Sequence, residues 1–162
     1  MAKTYQVPFF VRLGNVFTTR LLRAGLKPGT MALLTVRGRK SGLPRTTPVS
    51  LVEHDGQRWL LAAFGEVDWV RNLRVAGEAS LKRGRYPEHI FVKELCAEEA
   101  APVLKHILAH APGFLQKNFD AAPDSPLKDF ECEALNHPVF LVQSVAQRQA
   151  ATESERTTRR AV

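Results

Sequence analysis

The chain has 162 residues, of which 44% are hydrophobic and 24% charged, a composition typical of one globular domain with its own core. Its two cysteines, Cys96 and Cys132, form no CxxC pattern, which excludes zinc-finger and disulfide-rich classes and predicts two core thiols in a reducing compartment. The net charge is +7, and residues 1–52 hold nine of the 23 basic residues and none of the 16 acidic ones, which favours an anionic partner: nucleic acid, anionic lipid or a small phosphorylated molecule.

The first predicted element is an amphipathic helix from Pro8 to Ala24, with Gly25 as its end signal. Two β-rich runs, Met31 to Arg37 and Thr46 to His54, then predict a hairpin with a long cationic tip. No apolar run reaches the roughly 18 residues of a membrane span, and arginines interrupt the N-terminal segment. We therefore expect a cytoplasmic protein whose first helix packs on the domain or makes weak peripheral contact with the inner face of the cell membrane.

The pattern Asp55-Gly56 predicts a tight turn into a third strand, Gln57 to Phe64, which is expected to be covered on both faces. Asp68 is the predicted cap of a short helix that continues to Val75. The remaining predicted elements are strands at Ala79–Arg83, His89–Leu95 and Pro138–Val145, and a helix at Ala97–Ala111.

Six short strands with short connections, and helices before, between and after them, predict an α+β fold built on a small antiparallel β-barrel with helical lids. A parallel fold is disfavoured because the strands do not alternate with helices. We expect residues 1–146 to form this single domain and residues 147–162, where the composition turns polar, to be a disordered tail.

The segment Arg37-Gly38-Arg39-Lys40-Ser41-Gly42-Leu43-Pro44-Arg45 carries the most informative chemistry. Its glycines permit positive φ, which can turn successive N–H groups inward as an anion-binding nest, while the basic side chains and the Ser41 hydroxyl add charge and donors. It is not a Walker A loop, since GxxxxGK[ST] is absent. A phosphate-binding loop and a solvated hairpin tip, whose charges only prevent edge pairing, both fit these residues.

A second segment combines small residues with a flat aromatic side chain. Ala62, Ala63 and Gly65 close the third predicted strand and would let a planar ring approach its backbone. Trp69 and Asn72 follow one helical turn apart, on one face. A flat ligand could stack there; alternatively, Trp69 is a core anchor and Asn72 a surface amide.

In this order, GRKSGxPR, a strand ending in small residues, and Trp-x-x-Asn-Leu resemble the deazaflavin-dependent nitroreductase and quinone reductase family over about residues 9–145. The resemblance implies a split β-barrel, similar to FMN-binding folds, that binds coenzyme F420 through a tail bearing a phosphodiester and an oligoglutamate. An acidic tail fits the cationic first third of the chain. The implied coenzyme-binding residues are Gly38, Arg39, Lys40, Ser41 and Arg45 in the loop, Thr46, Thr47, Pro48, Ala62 and Ala63 in the strands, and Trp69 and Asn72. Some members line the acceptor pocket with tyrosines that have no counterpart here, so Phe114 and Phe119 are predicted to line it instead, and Phe64 is predicted to stack on the acceptor.

The chain departs from better-known members at Ala63 and Phe64, where they carry a polar residue and a lysine, so hydrophobic quinones are favoured over nitro compounds as acceptors. Hydride transfer belongs to the coenzyme, so no catalytic side chain is expected, and no GxSxG or HExxH motif occurs. His106 and His110 form an i, i+4 pair with no evident third ligand, so no metal site is expected.

The sequence thus predicts an F420-dependent oxidoreductase that reduces a quinone-like or nitroaromatic small molecule. An FMN-binding split-barrel protein is the alternative, because the same loop would suit the FMN phosphate. A non-enzymatic binder of nucleic acid or a membrane surface would explain the charge, but few aromatic residues accompany the basic loop, so nucleic acid is not an expected partner. A homodimer is left open.

Overall fold

The structure is a computed structural model that describes Thr19, residues 29–111 and residues 113–160. The strands are β1 (Met31–Arg37), β2 (Pro44–His54), β3 (Gln57–Leu61), β4 (Glu78–Lys82), β5 (Pro87–Glu94) and β6 (Val139–Ser144). The helices are α1 (Asp68–Ala76), α2 (Ala97–His110), α3 (Gly113–Gln116), α4 (Leu127–Asn136) and α5 (Val145–Arg160). The helix predicted for Pro8–Ala24 lies outside the described residues except for Thr19, which is helical.

The strands form a closed antiparallel barrel in the order β1-β2-β3-β6-β5-β4, so the predicted barrel is confirmed. The β1–β2 ladder runs from the Met31↔Ser50 pair to the Arg37↔Pro44 pair, which places the cationic loop at one end of the barrel. β3 ends at Leu61 rather than at Phe64, because Ala62 begins a turn that the Gly65 N–H closes by donating to the Ala62 carbonyl at 3.0 Å.

Two hydrophobic clusters form where alternating side chains point to opposite sides of the strands. Leu60 lies in the barrel interior with Leu34, Leu51, Ile90 and Phe140. Its neighbours Trp59 and Leu61 face outward into a second cluster formed with α2 and α4. The predicted burial of the third strand on both faces is therefore confirmed.

Helix α1 begins differently from the prediction. Its N-cap is Val67, which makes no side-chain capping bond, and Asp68 lies in the first turn instead. The Asp68 carboxylate is directed to Arg39 of the cationic loop, so it serves a contact between elements rather than a cap. The helix ends at Gly77, whose φ of +68° permits its N–H to donate to the Leu73 carbonyl.

Residues 147–160, predicted to belong to a disordered tail, are instead helical as part of α5, and this prediction is corrected. The Ser144 N–H donates to Gln147 Oε1 at 2.8 Å and the Gln147 N–H donates to Ser144 Oγ at 3.2 Å, a reciprocal capping box. Arg148 also lies over the Phe91 ring, 4.0 Å from its centroid. The polar composition reflects a surface helix, and the Ser-x-x-Gln spacing was its start signal.

Both cysteines are exposed and free, so their predicted core positions are wrong. Cys96 occupies the N-cap of α2, where the polar backbone of a helix start faces solvent. Cys132 is an exposed residue of α4, between the buried Phe130 and Glu133.

Arg58 and Glu88 form an ion pair whose contribution to the free energy of unfolding can be measured. The guanidinium of Arg58 donates to both carboxylate oxygens of Glu88, at 2.7 and 2.8 Å, and this bond lowers the pKa of Glu88. A lowered pKa stabilises the fold above the ordinary pKa of a glutamate and loses its effect as pH falls through the lowered value. Because the pair is partly exposed, we expect Glu88→Gln to reduce the free energy of unfolding at pH 7 by about 0.5 to 1 kcal/mol.

Urea unfolding of Glu88→Gln and the unaltered protein checks this expectation. The difference in unfolding free energy should shrink when both are measured at a pH below the ordinary pKa of a glutamate, because protonation of the Glu88 carboxyl group removes the ion pair. An equal difference at both pH values would mean that packing, rather than charge, accounts for the effect.

Candidate functional site

The cationic loop between β1 and β2 has a closed shape held by its own backbone. The Gly38 N–H donates to the Leu43 carbonyl at 2.9 Å, and the Gly42 N–H donates to the Gly38 carbonyl at 2.8 Å. A Cβ on Gly38 would lie 3.0 Å from Ser41 Oγ, and Gly42 has a φ of +69°, so both positions favour glycine. The loop is therefore a formed turn rather than an open strand connection.

Arg39 fastens this loop to α1. Its backbone N–H and its Nη1 both donate to Asn72 Oδ1, at 3.1 and 2.9 Å. Its guanidinium also contacts Asp68 Oδ1, at 3.1 and 3.2 Å. Asn72 is only 6% exposed, so the alternative that it is a surface amide is wrong.

Two further cations of the segment 37–45 are Lys40 and Arg45. The side chains of Lys40 and Arg45 are exposed, and within the part of the chain that the structure describes neither has a carboxylate partner. Ser41 is also exposed, and its hydroxyl accepts a bond from the Leu43 N–H at 3.3 Å. With Arg39 paired to Asp68, the excess positive charge of the segment 37–45 resides on the exposed Arg37, Lys40 and Arg45, as an anion site requires.

The strand residues next to the loop face two sides. Thr47 shares the inward side of β2 with the buried Val49, whereas Thr46 and Pro48 lie on the other side. The Thr46 hydroxyl bonds that of Thr35 on β1, with 2.9 Å between the oxygens. Of the three β2 residues predicted to contact the coenzyme ring, therefore, only Thr46 and Pro48 lie on the same face of the strand.

The small-residue segment after β3 is buried. The Ala62 side chain lies in the barrel interior and that of Ala63 in the second cluster. Gly65 has a φ of +76° and directly contacts the end of α4, because a Cβ there would lie 3.3 Å from the Asn136 carbonyl oxygen. The segment 62–65 is thus a tight turn at the barrel rim.

The aromatic residues predicted for the site are distributed over separate environments. Trp69 packs against the barrel cluster, with its ring 5.9 Å from that of Phe140, as expected of a core anchor. Phe64 is half-buried within the turn 62–65. Phe119 is buried in the second cluster and is not brought next to the loop, and the side chain of Phe114 lies outside the described part of the chain.

The imidazole of His54 lies next to the predicted pair of histidines on α2, His106 and His110. The His106 ring stacks on that of His54 at a centroid distance of 3.9 Å and lies 4.7 Å from that of His110. Burial, with the two neighbouring imidazoles, lowers the pKa of His106. In the described ranges, no three His, Cys, Asp or Glu side chains are arranged to hold a metal ion.

A buried polar pair, Glu133 and His137, lies beside the turn 62–65 and was not predicted from the sequence. His137 Nδ1 is 3.4 Å from the Ala62 carbonyl oxygen, and its Nε2 is 3.4 Å from Glu133 Oε2. Burial lowers the pKa of His137, while the Glu133 carboxylate acts in the opposite direction. The i, i+4 spacing was a usable signal only once α4 was recognised as a helix.

Comparison with known proteins identifies a family and a fold for this chain. Residues 14–124 match the family profile described as F420H(2)-dependent quinone reductase. No curated protein matches the chain. Among solved structures, it is similar to an F420-H2 dependent reductase, FDR-A, at 24% identity and a TM-score of 0.51, covering 70% of this chain and 94% of that one. A structure described as a domain-swapped dimer shares 23% identity with a TM-score of 0.52, covering 83% and 97%, and both likenesses support the fold.

Proposed function

The chain belongs to the F420H(2)-dependent quinone reductase family and is an F420-dependent oxidoreductase, and from this premise we propose that its β1–β2 loop binds the acidic tail of the coenzyme for hydride transfer to a quinone-like acceptor. The observation that supports this most is the division of charge in the loop. Arg39 is bound by Asp68 and Asn72, whereas Lys40 and Arg45 are exposed without carboxylate partners in the described residues.

The donor set of the loop suits a phosphodiester followed by carboxylates. Lys40 and Arg45 would supply charge-assisted hydrogen bonds, and the Ser41 hydroxyl would add a neutral donor. The N–H groups of Gly38, Arg39, Gly42 and Leu43 already donate to acceptors within the protein, so the predicted backbone nest is corrected and the side chains would hold the anion. Arg39 would act indirectly, by holding the loop against α1 before the coenzyme arrives.

When bound, the deazaflavin supplies the hydride donor carbon, and the chain supplies position and exclusion of water. We assign the ring to the rim next to the loop, between the Thr46–Pro48 stretch of β2, the turn 62–65 and Trp69. Half-buried Phe64 and Trp69 give this rim apolar surface. No side chain there is required to form a covalent bond.

The experiment that tests the proposal is a titration of purified protein with F420, with the corresponding deazaflavin lacking the phosphodiester and glutamates, and with FMN, followed by absorbance and fluorescence. We expect F420 to bind most tightly, because only it places several negative charges on the loop. Salt should weaken F420 binding more than binding of the tail-less compound. FMN binding equal to or tighter than F420 binding would contradict the proposal and favour a flavin protein.

The acceptor we propose is a hydrophobic quinone. Ala63 and Phe64 place no hydrogen-bonding side chain after β3, so charge developing on a nitro oxygen would find few donors. A quinone distributes incoming charge over its own conjugated ring and can stack on aromatic side chains. With F420H2 as donor, we expect kcat/KM for menadione to exceed that for a bicyclic nitroimidazole. The reverse order would mean that residues elsewhere determine the choice of acceptor.

We propose a cytoplasmic location, in which a reducing environment keeps the two exposed thiols free. None of the described helices is long and apolar enough to cross a membrane. Weak contact of the basic N-terminal segment with anionic lipid would suit the delivery of a hydrophobic quinone, and sedimentation with anionic vesicles at low and physiological salt tests it. Retention at neither salt concentration would exclude this contact.

A further inference from the structure

The Glu133 and His137 side chains form a buried polar pair at the end of α4. They are 6% and 5% exposed, and the distance from His137 Nε2 to Glu133 Oε2 is 3.4 Å. The other carboxylate oxygen, Oε1, accepts the N–H groups of Asp120 and Ala121 at 2.6 and 2.7 Å. A carboxylate that is removed from water and supplied with these donors is fixed in orientation, and it fixes the imidazole beside it.

The opposite edge of the imidazole meets the turn 62–65. Nδ1 lies 3.4 Å from the Ala62 carbonyl oxygen, which also accepts the Gly65 N–H at 3.0 Å. The Ala62 N–H donates to the Pro138 carbonyl at 3.0 Å, and a Cβ at Gly65 would lie 3.3 Å from the Asn136 carbonyl oxygen, a tight contact. Three successive residues, Asn136 to Pro138, therefore lie against this one turn.

We propose that Glu133 and His137 are positioning residues for hydride transfer: one proton held between Glu133 Oε2 and His137 Nε2 orients the imidazole, so that the Nδ1–H can donate to the Ala62 carbonyl. The inference rests on the proposed function, in which the turn 62–65 borders the coenzyme ring. Neither side chain touches the coenzyme in this arrangement. Phe119 covers the imidazole, with 4.2 Å between the ring centroids, so the contact to Ala62 is shielded from competing water.

In this proposal, the residues that position the coenzyme ring are different from those that bind its tail. The tail is assigned to Lys40 and Arg45 at the β1–β2 loop, whereas the pair acts only on the turn at the end of β3. Hydride transfer is sensitive to misplacement of about 1 Å, which can cost 100-fold in rate. Loss of the contact should therefore reduce the rate of hydride transfer much more than the affinity for F420.

Two substitutions of one residue distinguish the two edges of the imidazole. The amide nitrogen of His137→Asn lies near the Nδ1 position and can still donate to the Ala62 carbonyl, whereas that of His137→Gln lies near Nε2 and serves Glu133 instead. We expect His137→Gln to slow single-turnover hydride transfer about 10- to 100-fold, with a Kd for F420 within about threefold of the original. His137→Asn should stay within about threefold in both quantities.

Thermal unfolding of the two variants provides the stability control, since both lose half of the same buried pair. Equal rates of hydride transfer in the two variants, whether both normal or both reduced, would overturn the inference. If neither variant folds, ¹⁵N NMR of the unaltered protein decides: binding of F420 should shift the Nδ1 resonance of His137. Binding without a shift would overturn this inference alone, whereas absence of F420 binding would overturn the proposed function with it.

Discussion

The double substitution Lys40→Ala and Arg45→Ala is expected to weaken F420 binding by about 2 to 4 kcal/mol, roughly 30- to 1,000-fold in Kd. Each side chain would supply a charge-assisted hydrogen bond to the coenzyme tail, and such bonds contribute about 1 to 3 kcal/mol each. Both side chains are exposed and have no carboxylate partner among the described residues, so the fold should keep its stability. Equilibrium titration at low and physiological salt measures the effect.

A matched control removes the same amount of charge elsewhere. Arg85 lies in the connection between β4 and β5, and Lys128 lies in the first turn of α4; both are exposed. The variant Arg85→Ala plus Lys128→Ala should bind F420 within about threefold of the unaltered protein, since distant exposed charges are screened. Equal losses in the two double variants would show that net charge, rather than the loop, attracts the coenzyme.

Phe130→Ala is expected to lower the free energy of unfolding by about 3 to 5 kcal/mol. Phe130 is fully buried in the second cluster, where it joins α4 to the outer face of β3 and to α2. Truncation would leave a cavity where α4, the helix that positions Glu133 and His137, packs on the barrel. Because the two side chains would be held less firmly, hydride transfer should also slow. Urea unfolding monitored by circular dichroism gives the change in stability.

Leu135 supplies the control on the same helix. Its side chain is 77% exposed, so Leu135→Ala should change the unfolding free energy by less than about 0.5 kcal/mol. A loss below about 1 kcal/mol in Phe130→Ala would mean that α4 is not anchored to the barrel through this cluster. Contacts other than this cluster would then have to hold His137 in place.

The barrel was predictable because its signals are local. The β-rich composition of Met31–Arg37, the Asp55-Gly56 turn and the short connections each depend on neighbouring residues. Helix α4 was missed because its inward side carries Glu133 as well as Phe130, which interrupts the apolar pattern that identifies a helix. The partners that make a buried glutamate acceptable come from another segment, at Asp120 and Ala121.

The site was predictable only in part, because some of its contacts join residues that are far apart in the sequence. The glycines and cations of the loop stand together in the sequence, so an anion-binding turn could be inferred from them. The use of Arg39 as a contact to α1 depends on Asp68 and Asn72, 29 and 33 residues away, and no local pattern signals it. The coenzyme itself was recognised from the order of motifs, which reflects family membership rather than physical necessity.

The most direct measurement follows the absorbance of the deazaflavin as F420H2 is reoxidised by menadione in the presence of the purified protein. We predict that reoxidation is proportional to protein concentration, saturates with F420H2 and exceeds the rate with reduced FMN as donor. The Lys40→Ala and Arg45→Ala double variant should require much more F420H2 for half-saturation. Reoxidation of F420H2 that is independent of the protein, together with protein-dependent turnover of reduced FMN, would contradict the assignment of F420 as the coenzyme.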